Sequence, residues 1–132
     1  MIQKFRAYDS GSLSRMYQPD EVMVGNGDIW IIDEDSAAGE WIVNNDIHLM
    51  QSTGLFDRNG QEIFEGDVLE LYDCGETIGN VKAYWDGSLG AFMLDAIVVD
   101  DREPMYKVID DEDFSYSVIG NIYENPELLE VE

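Results

Sequence analysis

Nucleophilic catalysis at neutral pH needs a thiol or hydroxyl beside a general base. In this chain an imidazole base has to be His48, the one histidine of 132 residues, and the one thiol is Cys74. Cys74 falls in a turn pattern, Asp73-Cys74-Gly75-Glu76, and nothing in the spacing brings it to His48. His48 therefore reads as a structural or surface residue. One Cys and one His also fall short of the four ligands of a structural zinc site. Carboxylates are the abundant chemistry, with 29 Asp and Glu against 7 Lys and Arg. That abundance prevents any one pair from standing out as a glycosidase-type acid and base. Asp33-Glu34-Asp35 and Asp110-Asp111-Glu112-Asp113 could hold a hard cation, but neither has the spaced ligands and central glycine of a calcium loop. Asp57-Arg58-Asn59-Gly60 begins like such a loop, with its glycine two positions early. Gly25-Asn26-Gly27 precedes a strand and so offers no phosphate cradle of the kind that opens a helix. The expectation is a protein without cofactor or metal, and not an enzyme.

The formal net charge of −22 favours solubility and basic partners, and the plain reading is a protein that is simply acidic. Such a surface repels nucleic acid phosphates and anionic lipid and attracts basic proteins. The candidate interaction surface is Asp100, Asp101, Glu103, Asp110, Asp111, Glu112 and Asp113, in two acidic segments that would steer a basic partner. Self-association is the other expected contact. Two alternatives are DNA mimicry, which needs carboxylates spaced like phosphates, and a small metal-dependent enzyme, which needs a concave polar pocket. Lys4, Arg6 and Arg15 form a local basic spot, read as partners for neighbouring carboxylates. No apolar run approaches the roughly 20 residues of a membrane span, and the start lacks a signal-peptide core. With a lone cysteine, this predicts a soluble cytoplasmic protein.

The elements that would position these residues read as short strands punctuated by turns. Residues 2–8 alternate and should pair with Leu13–Tyr17 across the Asp9–Ser12 turn. Val22–Val24 and Ile29–Ile32 flank Gly25-Asn26-Gly27-Asp28, a hairpin signal. Trp41–Val43 is a further strand beyond a polar loop. The chain is organised around residues 48–69, where Asp57-Arg58-Asn59-Gly60 is a turn and Leu55, Phe56, Ile63 and Phe64 should close on each other as an apolar clamp. Val68–Tyr72, Ile78–Trp85, Ala91–Leu94, Ile97–Val99, Tyr106–Ile109 and Phe114–Val118 follow as strands, with a tight Asp86-Gly87 hairpin. Val81, Ala83 and Trp85 share one face, so Trp85 is expected in the core. Asn125-Pro126 caps a closing helical turn. This predicts a mainly β fold with little helix, a single domain over 1–132 built of an N-terminal lobe (1–55) and a small β-barrel (62–132).

Three blocks resemble the YopX family of phage and prophage proteins. They are Lys4-Phe5-Arg6-Ala7-Tyr8-Asp9, the segment from Gln51 to Val68, and Val118-Ile119-Gly120-Asn121-Ile122-Tyr123-Glu124-Asn125-Pro126-Glu127-Leu128-Leu129. The resemblance implies an SH3-like barrel in the C-terminal part, a phage or prophage origin, a bacterial host cytoplasm, and no assigned catalytic residue. It makes a host or phage protein the natural basic partner of an accessory protein. Residues 18–47 and 86–113 lie outside these blocks, and features particular to this chain are expected there.

Overall fold

The computed structural model describes residues 4–11, 14–33, 35–96, 102–105 and 112–129. The chain is mainly β and divides into two compact units, Met1–Ser52 and Thr53–Glu132. The segment around residues 53–69 thus belongs to the second unit.

In the first unit, β1 (Phe5–Asp9) pairs antiparallel with β2 (Arg15–Tyr17) and with the start of β6 (His48–Phe56). A second, three-stranded antiparallel sheet holds β3 (Val22–Gly25), β4 (Asp28–Ile32) and β5 (Trp41–Val43), in that order. Its hairpin turns on Asn26 (φ 54°) and Gly27 (φ 79°), and two successive positive φ angles are what a twisted two-residue hairpin requires. Pro19–Glu21 forms a 3₁₀ turn between β2 and β3. Glu21 closes it by accepting from the Gln18 backbone N–H (3.0 Å), and Glu21 also pairs with Arg15, whose guanidinium lies over the Tyr17 ring. Ala7, Tyr17, Val22, Ile31 and Ile47 form the core of this unit. Arg6 is buried within it, so the basic spot at Lys4, Arg6 and Arg15 is not a uniform exposed patch.

In the second unit, β7 (Glu62–Phe64) lies alongside β6. A five-stranded antiparallel sheet follows: β8 (Asp67–Asp73), β9 (Glu76–Asp86), β10 (Ala91–Ala96), β11 (Arg102–Pro104) and β12 (Phe114–Asn121), in the order β11-β10-β9-β8-β12. It curls as a half-barrel, a shape compatible with the SH3-like expectation. Residues Ile78 and Ile119 are extra residues at register shifts, which turns both isoleucines outward. Ile63, Leu69, Val81, Ala83, Leu94 and Met105 are the core, with Leu55, Leu71, Phe92, Phe114, Tyr116 and Val118 packed against it. The strands expected at Ile97–Val99 and Tyr106–Ile109 lie outside the described residues.

Three expectations need correction. The Asp86-Gly87 turn is part of a four-residue loop, 87–90, because Asp86 opposes Ala91 and its carboxylate accepts from the Ser88 N–H and hydroxyl. The apolar clamp lacks Phe56, which is 54% exposed because the strand parity that points Leu55 inward points its neighbour out. Trp85 does lie on the face of Val81 and Ala83, but at the end of β9, where the core has run out. It is 43% exposed and makes an edge-on ring contact with Phe92, with ring centroids 4.9 Å apart. Trp85→Ala should therefore cost about 1–2 kcal/mol rather than the 3–5 of a buried aromatic, a difference that urea melts resolve.

Candidate functional site

The turn Asp57–Gly60 looked most like a ligand loop in the sequence, and the structure shows what its carboxylate does. Asp57 is 7% exposed. Its Oδ1 accepts from the N–H groups of Asn59 (2.9 Å) and Gln61 (2.8 Å), and its Oδ2 from Val118 N–H (2.9 Å). Burial pushes its pKa up, but the backbone donors of Val118, Gln61, Asn59 and Gly60 outweigh this and hold it below the ordinary 3.8. The Asn59 amide donates to Ser117 Oγ (3.1 Å) and the Arg58 N–H to the Tyr116 carbonyl (2.9 Å), which fastens the turn to β12. Burial, and secondarily the Asp57 charge, raise the Tyr116 phenol above its usual pKa. Both oxygens of Asp57 are thus committed to the backbone.

Asp67 plays a parallel part. It is fully buried, and its Oδ2 accepts from Phe64 N–H (2.8 Å) across the Glu65-Gly66 turn. The Gly66 N–H donates to the Ala83 carbonyl, and Ile122 N–H donates to the Gly66 carbonyl. At the closing block, Asn121 Oδ1 accepts from Tyr123 and Glu124 N–H, and its amide donates to Glu124. Asn125 precedes the 3₁₀ turn Pro126–Leu129 as expected, but its side chain reaches back to Asn121 N–H (3.2 Å) instead of capping forward. A Cβ on Gly120 would stand 2.6 Å from Asn125 Oδ1, so the close approach explains the glycine. The polar residues of these blocks build turns.

His48 has an unexpected neighbour: its Nε2 lies 3.0 Å from Ser10 Oγ. This is nucleophile-to-base distance, but both residues sit on an exposed rim. Among the described residues no three His, Cys, Asp or Glu side chains come together as a metal site. Cys74 is exposed at the β8–β9 turn, with its N–H on the Asp113 carbonyl (2.8 Å). Of the acidic interaction candidates, Asp100, Asp101, Asp110 and Asp111 lie outside the described residues. Glu103 falls in β11, opposite Leu94, and Glu112 and Asp113 are exposed in the turn before β12. No helix among the described residues is long and apolar enough to cross a membrane.

The surface feature that sequence reasoning missed is the outer face of the β3–β4–β5 sheet. Met23 opposes Trp30, Trp30 opposes Val43, and Trp41 stands two residues before Val43 on β5, so these four side chains share one face, while Ile32, opposite Trp41, packs against the core. The opposite face carries Val22 and Ile31 into the core of the unit. Met23 is 46% exposed and Val43 44%. A hollow of about 320 Å³ is lined by Met23, Val24, Gly25, Asn26, Trp30 and Trp41. The runs Val22–Val24, Ile29–Ile32 and Trp41–Val43 held the signal, because they are apolar at every position where a sheet with one wet face would alternate.

A family model described as YopX protein matches residues 4–130. The crystal structure of protein EF1440 from Enterococcus faecalis is similar over 98% of this chain and 99% of that one, with 31% identity and a TM-score of 0.61. The crystal structure of protein yopX from Bacillus subtilis is similar in fold over 96% of this chain and 98% of that one, with 19% identity and a TM-score of 0.60. No curated protein matches the chain.

Proposed function

The chain belongs to the YopX family, and from that premise we propose that it is a phage- or prophage-encoded accessory protein of the bacterial cytoplasm that acts by binding another protein, without catalysing a reaction. The observation that carries this reading is the apolar outer face of β3–β4–β5. A chain of charge −22 has ample means of staying soluble, so a contiguous apolar face with two tryptophans on it calls for a partner. Aromatic residues and methionine around a shallow hollow are the residue types that dominate binding energy at protein contacts. The acidic residues add steering, and the on-rate of the complex should fall as salt is raised.

The test is the double variant Met23→Ser, Trp41→Ser, used as bait beside the wild type in infected host cells, with mass measurement of both purified proteins. Both positions point away from the core, so melting should stay within about 1 kcal/mol of wild type. The expected result is loss of a stoichiometric partner, or of self-association, by the variant alone. An identical set of bound proteins for both baits would overturn the reading.

A further inference from the structure

We propose that the edge of β5, which no strand among the described residues pairs, takes up an extended, lysine- or arginine-bearing protein segment as an added strand, with an apolar side chain of that segment seated in the Trp30–Trp41 hollow; this rests on the binding reading above. The ladder decides which backbone groups are available. Asn44 N–H donates to the Ile29 carbonyl (2.9 Å) and Asp33 N–H to the Glu40 carbonyl (2.7 Å) on either side of the register Trp30–Val43, Ile31–Ile42, Ile32–Trp41. Hydrogen-bonded pairs alternate in an antiparallel ladder, so Ile42 turns its N–H and C=O toward β4. Trp41 and Val43 turn theirs the other way, to the edge where the sheet order ends. Two donors and two acceptors stand there in the spacing of a strand.

Edges are usually blunted by charge, proline or a bulge. Trp41-Ile42-Val43 has none of these, and all three residues are exposed. Its shortness is the one restraint, and it limits an added strand to a few ladder bonds. Further affinity has to come from side chains, and the hollow lies on the same face as Trp41 and Val43. Alternate residues of a strand laid along β5 would project over that face.

Charge selects the chemistry of the occupant. Residues 18–47 contain eight acidic residues and no basic one. Glu40 and Asp46 bracket β5 in the chain, and Asp28, Asp33 and Asp35 lie at the ends of β4 or just beyond. A second copy would bring the same acidic rim against itself, whereas a basic segment finds carboxylates along its length and tryptophan faces for its cations.

The probe is the peptide acetyl-Lys-Val-Lys-Val-Lys-Val-Lys-amide, titrated into the full chain at low and moderate salt, with a Glu-for-Lys counterpart as control. Amide hydrogen exchange read by NMR should show new protection at Trp41 and Val43, with Ile42, already in the ladder, little changed. Val43→Pro removes one outward donor and none of the β4 ladder bonds, so it should fold normally and bind roughly tenfold more weakly. Four results would overturn the proposal: binding without protection at the edge, binding indifferent to Val43→Pro, equal binding of the acidic control, or a dimer that Val43→Pro dissociates. The Met23→Ser, Trp41→Ser bait separates the two ideas. If that bait loses its partner while the edge stays unprotected, the face binds without strand addition; if it loses nothing, the binding reading itself fails.

Discussion

Replacing Asp57 with alanine should lower folding stability by about 3–5 kcal/mol. Its carboxylate answers the N–H groups of Asn59, Gln61 and Val118 from a buried position. Hydrogen bonds to charged groups contribute about 1.5–3 kcal/mol each, and truncation would strand three donors at once. Asp57→Asn should lose less, because its amide oxygen can still serve the Asn59 and Gln61 donors while its NH₂ confronts Val118. The pH dependence has a definite sign. The folded pKa lies below the ordinary 3.8, so the unfolded chain binds the proton more tightly. The carboxylate's contribution is therefore complete above the ordinary carboxylate range and is lost as pH falls through it toward the lower folded value. Urea titrations at pH 7 and pH 3 should show the gap between wild type and Asp57→Ala narrowing in acid. Equal midpoints at pH 7 would contradict the whole account of the turn.

Leu69→Ala should cost about 3–4 kcal/mol. Leu69 is fully buried on β8, which lies between β9 and β12, and it packs among Ile63, Val81, Ala83, Leu94 and Met105. Walls supplied by several strands collapse poorly onto a deleted side chain, so both the transfer loss and the cavity left behind count against the variant. The m-value should be unchanged, as for a two-state loss of packing. A smaller loss than that of Trp85→Ala would mean that the core is centred elsewhere on the sheet.

Much of this architecture was legible in the residues. Asn26-Gly27 announced the β3–β4 hairpin because few other pairs accept two positive φ angles, and the alternation of Phe114, Tyr116 and Val118 placed a core face on β12. What failed to read through depends on tertiary context. Parity put Trp85 on the correct face, but only the lengths of neighbouring strands decide where cover ends. Asp57 was readable as a turn residue through its bonds to Asn59 and Gln61, whereas its bond to Val118 has no local signature. The binding face was masked for a different reason. Strands apolar at every position do not say which side is core, and nothing in Met23 or Trp41 distinguishes them from Val22 or Ile31 until the sheet is laid on its unit.

The bond from Val118 to Asp57 spans 61 positions of sequence, and that separation bears on the order in which the protein assembles. The β3–β4 and β8–β9 hairpins close over two residues and can form as soon as they are made. The Asp57 turn cannot be completed until residue 118 has left the ribosome, since its third donor arrives with β12. Until then the second unit carries a half-answered carboxylate and a β8 strand open along one side. The last strand is the one that locks the unit, so folding of residues 53–129 should be late and concerted, and a chain halted before Val118 should remain open to proteases.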